Sequence, residues 1–212
     1  MKARELAERH ARTWRGATRH PFLDGVRDGE LPEGAFEAWL VQDYLFVSDL
    51  LVFQSRLLAR APRPAQAVIV GGLVALEEEL GWFEGLAGER RLALEVPRHP
   101  TTAAYRDLLS GLEDGPLPAG IVALWAAEQA YLDAWRSAAP GHPDYRPYVE
   151  HWTVPEFAGY VGELEKAADA ALEGATEDER GGAEEAFLAV ARLERDFWGM
   201  AFAGEAGPGG DV

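Results

Sequence analysis

The chain has no cysteine among its 212 residues. Disulfide bonds, thiolate metal sites and a cysteine nucleophile are therefore excluded. Histidine is also scarce, with five residues in all, and none follows three positions after the acidic residues discussed below. Because carboxylate-bridged metal pairs in helical bundles use Glu-x-x-His on two helices, we expect no metal site and no cofactor.

Positive charge is sparse as well. The chain has 20 lysine and arginine residues against 36 aspartate and glutamate residues, which gives a formal net charge of −16. Nucleic-acid binding needs a positive surface, and only a local basic patch could supply one here. No uncharged run approaches the ~18 residues of a membrane span, and residues 1–11 lack an apolar signal core. We therefore expect no nucleic-acid or membrane partner, and a cytoplasmic location.

Helix-forming sequence, by contrast, is abundant. Apolar residues make up 48% of the chain and recur at three-to-four spacing among good helix formers, without a run of strand alternation. This pattern predicts an all-α fold: a single-domain antiparallel helical bundle over residues 1–203, followed by a disordered tail over residues 204–212. The helices are expected at about 3–17, 33–60, 65–86, 101–109, 118–137, 154–174 and 177–203, with a loop around His20-Pro21 and Asp28-Gly29.

Four acidic residues lie within apolar stripes of the predicted helices. The helical neighbours of Glu194 include Phe187, Val190 and Trp198, since side chains three, four and seven positions apart share one face. The other three acids are Glu128, Glu79 and Asp43, and the pattern is weakest for Asp43 because its helix is apolar nearly all round.

Burying an isolated carboxylate costs several kcal/mol unless it is paired, hydrogen-bonded or protonated. A group of buried acids is therefore either a set of structural anchors bonded to Arg, Trp or Tyr, or a set of general acids and bases in a cavity.

Aromatic residues accompany these acids or stand at loop–helix junctions. They are Tyr44, Phe46, Tyr105, Trp125, Tyr131, Trp152 and Trp198. An aromatic box with a few carboxylates suits a flat, amine-bearing heterocycle, which stacks on rings and donates hydrogen bonds to the acids. The chain has no phosphate-binding glycine loop and no G-x-S-x-G. Metal-free acid–base or nucleophilic chemistry on an organic substrate fits these features best.

Several segments resemble the TenA (thiaminase II) family, in the same order and at similar spacing over about residues 15–202. They are His20-Pro21-Phe22 with Gly29-Glu30-Leu31-Pro32, Gln42-Asp43-Tyr44, Pro100-Thr101-Thr102 with Tyr105, Pro140-Gly141-His142-Pro143, and Phe197-Trp198-Gly199-Met200. The resemblance implies a bundle like that of heme oxygenase but without heme, and a homodimer or higher homo-oligomer. It also implies hydrolysis of thiamin or of thiamin-derived pyrimidines.

The resemblance also implies roles for individual residues. Asp43 matches the family's pyrimidine-binding aspartate, Glu194 matches its glutamate beside the leaving amine, and Tyr105 matches a pocket tyrosine.

At the family's nucleophile the chain departs from the commoner pattern. Many members carry a cysteine on the helix that here reads Trp125-Ala126-Ala127-Glu128, with Tyr131 following. This W-x-x-E form resembles the glutamate branch of the family, which is associated with salvage of formylated aminomethylpyrimidines. Phe46 and Trp152 stand where the cysteine branch has tyrosines, so the exact substrate is left open.

The sequence therefore predicts a metal-free hydrolase of a C–N bond in thiamin-derived aminopyrimidines, acting on an aminomethylpyrimidine or its N-formyl derivative. We expect Asp43 to bind the ring nitrogen and exocyclic amine, Glu128 to be the nucleophile or the base that activates water, and Glu194 to protonate the leaving nitrogen. The last two roles are exchangeable, since sequence fixes position and not pKa. The substrate-binding residues are expected to be Asp43, Phe46, Glu79, Tyr105, Tyr131 and Trp152.

Two alternatives remain open at this point. One is a non-catalytic pyrimidine-binding or regulatory helical protein. The other is a related bundle oxidase with a metal pair.

Overall fold

The computed structural model describes residues 1–206, and within that range it contains ten helices and no strand. The helices are α1 (Ala3–Arg9), α2 (Ala11–Thr18), α3 (Pro21–Asp28), α4 (Ala35–Arg60), α5 (Arg63–Arg90), α6 (Pro100–Leu112), α7 (Leu117–Ala138), α8 (Arg146–Trp152), α9 (Pro155–Gly174) and α10 (Glu177–Phe202). The prediction of an all-α bundle is confirmed.

Helix α7 forms the centre of the bundle. It is buried along most of its length from Pro118 to Ala138, as expected for a helix that is apolar nearly all round. It packs against α9 and α10, and α10 in turn packs against α4. Acidic residues on α4, α7 and α10 therefore point into one continuous core.

Helices α4 and α5 form an antiparallel hairpin. The Gln54 side-chain amide donates to the Ile69 carbonyl at 2.8 Å, and near the other end Tyr44 Oη donates to Glu84 at 3.2 Å. Residue numbers on α5 therefore decrease as those on α4 increase, and this register places Glu79 within about two helical turns of the level of Asp43.

The predicted loop after His20 was wrong, because residues 21–28 form helix α3. Pro21 occupies the first turn, where its missing N–H costs nothing, and the His20 imidazole accepts a hydrogen bond from the Phe22 amide at 3.2 Å. Gly29 ends the helix with φ 79°, a left-handed conformation that glycine adopts without strain.

Other helix boundaries also differ from the prediction. The first predicted helix is interrupted at His10, which has φ −106° and ψ 34°. Helix α6 starts at Pro100 and is capped by His99 rather than by a threonine. The short α8, with a proline in its first turn, was not predicted.

Residues 207–212, the larger part of the predicted tail, lie outside the described residues. Just before them, Gln42 donates to the Ala206 carbonyl, and His99 lies 3.1 Å from the Glu205 carboxylate. Over residues 1–206, no helix has the length and apolar character needed to cross a membrane.

Candidate active site

A cavity of about 490 Å³ lies between α4, α5, α7 and α9, with α8 at its side. Its volume is within the range of small-molecule sites, about 300–1,000 Å³. The predicted site residues in its lining are Asp43, Phe46, Glu79, Glu128, Tyr131 and Trp152. Glu194 and Tyr105, also predicted, are not among its lining residues.

Asp43 enters the cavity from α4 and is only 1% exposed. Tyr131, on α7, donates its hydroxyl proton to the carboxyl oxygen Oδ2. Loss of hydration raises the pKa of Asp43 well above its usual range; the nearby Glu79 and Glu194 carboxyls add to this, while the Tyr131 bond opposes it.

Glu128 lies on the central helix α7 and is 8% exposed. Its Oε1 is 3.4 Å from the hydroxyl of Tyr160 on α9. Burial, followed by the charge of Glu79, raises the pKa of Glu128 from its usual 4.5 to about 8. A carboxyl with this pKa exchanges protons readily near neutral pH.

Glu79, on α5, is the most accessible of the four acids. The indole N–H of Trp152 donates to its Oε1 at 2.8 Å. Desolvation raises the pKa of Glu79 to about 7, and the Trp152 hydrogen bond limits the rise. Trp152 also stacks on Trp135, with ring centroids 4.8 Å apart, so the donor is held in place by the core.

Glu194, on α10, lies deeper than the cavity wall. Its Oε1 accepts a 2.7 Å hydrogen bond from Tyr105, whose ring packs against the wall residue Phe46 with centroids 4.6 Å apart. Burial raises the pKa of Glu194 to about 8. Its charge in turn raises the pKa of Asp43 and Glu128, so it belongs to the same electrostatic cluster.

The four carboxyls share one pattern: each accepts a hydrogen bond from a single aromatic donor. In the described part of the chain, none forms an ion pair with Lys, Arg or His. Their burial is therefore not compensated by positive charge, and some of the four carboxyls stay protonated at neutral pH. Such a mixture of ionised and protonated carboxyls can act as paired base and acid.

Metal binding is not indicated by the arrangement of side chains. Among residues 1–206, no three His, Cys, Asp or Glu residues are grouped so that they could hold a metal ion. The one imidazole in the cavity lining belongs to His151, which stacks on Trp82 with ring centroids 4.3 Å apart. Burial lowers the pKa of His151 and favours its neutral form.

Sequence reasoning missed Tyr160, which lines the cavity from α9. Its hydroxyl is 3.5 Å from the side-chain oxygen of the fully buried Gln54. A Cβ atom on Gly72 would lie 2.3 Å from that hydroxyl, so only glycine leaves room for it. Neither Gln54 nor Glu128 is near Tyr160 in sequence, and periodicity therefore carried no signal for this contact.

A profile of the TENA/THI-4/PQQC family matches residues 7–203. The chain belongs to this family. The resemblance drawn from the sequence motifs is therefore confirmed.

Two curated TenA relatives match over most of their length. A soybean (Glycine max) protein named "Probable bifunctional TENA-E protein" is 30% identical over 205 residues, covering 91% of this chain and 90% of that protein. The aminopyrimidine aminohydrolase of Bacillus subtilis is 28% identical over 204 residues, covering 91% and 86% of the two chains.

A solved TenA homologue from Pyrococcus furiosus has the same architecture. It superposes with a TM-score of 0.90 at 30% sequence identity, covering 95% of this chain and all of that one. The fold is thus the heme-oxygenase-like helical bundle of TenA proteins.

Proposed function

We propose that this protein hydrolyses a C–N bond in a thiamin-derived aminopyrimidine without using a metal ion. The observation that carries this proposal is the cluster of uncompensated carboxyls in and behind one aromatic-walled cavity, two of them with a pKa of about 8 and one of about 7. The names of the soybean and Bacillus relatives support a hydrolase of this substrate class. The substrate is an aminomethylpyrimidine or its N-formyl derivative.

In the proposed mechanism, Asp43 binds the pyrimidine. With its raised pKa, the neutral carboxyl donates its O–H to a ring nitrogen and accepts an N–H from the adjacent exocyclic amine. This is a two-point match to an aminopyrimidine edge that needs no buried charge. Phe46, Tyr131 and Trp152 provide aromatic surfaces for the ring.

Glu128 performs the central step. As a carboxylate it takes a proton from water while the water oxygen attacks the carbon bonded to the leaving nitrogen. Alternatively, the carboxylate attacks that carbon itself. Water then hydrolyses the resulting ester, or the mixed anhydride when the carbon attacked is the formyl carbon. In both routes the C–N bond breaks and the nitrogen leaves with a proton from a second carboxyl. The products are ammonia with the hydroxymethylpyrimidine, or formate with the amine.

Two carboxyls can supply that proton. Glu194 matches the family's glutamate beside the leaving amine, and its pKa of about 8 keeps it mostly protonated at neutral pH. Glu79 has a pKa of about 7 and lines the cavity directly. If Glu194 is the donor, Glu194→Gln lowers kcat far more than Glu79→Gln; if Glu79 is the donor, the order is reversed.

The proposal is tested on purified protein treated with a chelator. We expect release of ammonia from 4-amino-5-aminomethyl-2-methylpyrimidine, or of formate from its N-formyl derivative, at the same rate before and after chelation. Asp43→Ala should lower kcat and raise KM together, because it removes the ring contact.

Calorimetric titration with the same compounds separates the remaining outcomes. Tight binding without any product would support a non-catalytic pyrimidine-binding protein instead. Activity that is lost on chelation and restored by one metal would contradict the metal-free mechanism.

A further inference from the structure

The hydroxyl of Tyr160 lies between two acceptors on different helices. It is 3.4 Å from Glu128 Oε1 on α7 and 3.5 Å from Gln54 Oε1 on α4. Well-formed O–H···O bonds are about 2.7–2.8 Å long, so a shift of less than about 1 Å closes either contact. The Gln54 amide nitrogen already donates to Ile69, which directs the amide oxygen toward Tyr160.

The surrounding helices are shaped to admit this hydroxyl. A Cβ atom on Gly72 of α5 would lie 2.1 Å from the Gln54 amide nitrogen and 2.3 Å from the Tyr160 hydroxyl. Both distances are far below van der Waals contact, so any side chain at Gly72 would displace the pair. Four helices thus meet at one phenolic oxygen.

The other two tyrosines that donate to the buried carboxyls each have one acceptor instead of two. Within residues 1–206, Tyr105 Oη contacts one acceptor, on Glu194, and Tyr131 Oη contacts one, on Asp43. Only the Tyr160 hydroxyl has a carboxyl on one side and a neutral amide oxygen on the other.

We propose that Tyr160 is a positioning residue for Glu128 whose hydroxyl follows the protonation state of that carboxyl. When Glu128 is ionised, Tyr160 donates its proton to Oε1. When Glu128 is protonated, the carboxylic acid donates to the phenolic oxygen and Tyr160 turns its own proton to Gln54. A hydroxyl carries one proton and two lone pairs, so rotation about one C–O bond serves both states.

The charges around Glu128 show why this contact matters. Besides burial, the groups that shift the pKa of Glu128 are Glu79 on α5, Glu194 on α10 and Tyr160 on α9. All of these are acids, and none is a cation. The Tyr160 hydroxyl is the single contact among them that favours the ionised form of Glu128.

Two substitutions test the two contacts of the Tyr160 hydroxyl: one removes the hydroxyl itself and the other removes its neutral acceptor. In Tyr160→Phe the carboxylate loses its donor, so the pKa of Glu128 should rise by about 1. In Gln54→Met the hydroxyl loses its neutral acceptor and points to Glu128 at all times, so the pKa of Glu128 should fall. A purely structural loosening of the site would move both values in the same direction.

The titration is followed by NMR of protein with ¹³C-labelled glutamate carboxyls. The Glu128 signal is identified as the one missing from Glu128→Gln. Tyr44→Phe is the matched control, because it removes a tyrosine–glutamate hydrogen bond on the outer side of the α4–α5 hairpin and should leave Glu128 unchanged. If Gln54→Met does not fold, Gln54→Leu takes its place.

An unchanged or lowered Glu128 pKa in Tyr160→Phe, or shifts of the same sign in both variants, would overturn the role given to Tyr160. The experiment needs no substrate, so its result does not depend on the proposed function. Only the naming of Glu128 as the base rests on that function. On the aminopyrimidine, Tyr160→Phe should lower kcat about tenfold with KM changed less than about twofold. An inactive wild-type protein would reject the hydrolase and leave the NMR result standing.

Discussion

At the scale of single residues, Glu194 shows what a buried carboxyl without a cation does to folding. Its pKa is about 8 in the folded protein against 4.5 for an ordinary glutamate. The folded state therefore holds the proton more tightly than the unfolded chain does. The stabilisation is fully present below pH 4.5 and is lost as the pH rises through about 8.

Glu194→Gln should remove this pH dependence, because an amide keeps the shape and does not ionise. We expect the free energy of unfolding of the wild type to fall by several kcal/mol relative to the variant between pH 5 and pH 8. Urea unfolding followed by circular dichroism across this range measures the difference. A constant difference between the two proteins would show that Glu194 is not desolvated as described.

The burial of the acidic residues could be predicted from the sequence, but their hydrogen-bond partners could not. Apolar neighbours on their own helices placed Glu128 and Glu194 inside, and both are buried. The contact of Tyr160 with Glu128, and the position of Glu194 behind Phe46, depend on how separate helices pack. No spacing within one helix contains that information.

At the scale of helices, two of the three His-Pro pairs in the chain stand at a helix start. In each of the three pairs the imidazole Nδ1 accepts from the amide two residues on, at 3.2 Å for His20, 3.1 Å for His99 and 3.4 Å for His142. The first two pairs begin α3 and α6. Histidine is not among the favoured N-cap residues, and the prolines suggested breaks, so α3 was predicted as a loop and α6 was given a threonine cap.

His20→Ala should lower the free energy of unfolding by about 1 kcal/mol, the usual cost of losing an N-cap acceptor. His20→Asn should keep most of the wild-type stability, since asparagine is a favoured N-cap residue. Burial lowers the pKa of His20, so this contribution is present above the usual pKa of 6.5 and is lost as the pH falls below it. Thermal unfolding of both variants at two pH values is the measurement. Equal loss in Asn and Ala variants would contradict the capping role.

At the scale of the whole molecule, the long apolar helices predicted the architecture, because one bundle is the simplest way to bury them. They also leave an apolar surface. Val70 and Val74, one turn apart on α5, are 47% and 56% exposed, and Val52 on α4 is 51% exposed. The α4–α5 pairing brings Val52 to the same level of the hairpin.

We propose that these exposed valines contribute to the contact of a homodimer or higher homo-oligomer, since exposed apolar side chains at one level of a helical hairpin are candidates for an interface. The double variant Val70→Lys, Val74→Lys should then dissociate the assembly while helical content is unchanged. Light scattering at micromolar concentration tests it. A strictly monomeric wild type would contradict the assembly, and an intact oligomer in the double variant would place its interface elsewhere.

Hydrolysis of the aminopyrimidine by Glu128→Gln protein tests the central claim most directly. Asp133→Asn is the control, because it changes a carboxyl to an amide on the same helix outside the cavity lining. With folding and Asp43-dependent binding retained, the Glu128 variant should lose roughly 10²–10⁴-fold in kcat, and the Asp133 variant should stay near the wild-type rate. Full activity in Glu128→Gln would contradict a hydrolytic mechanism built on this carboxyl.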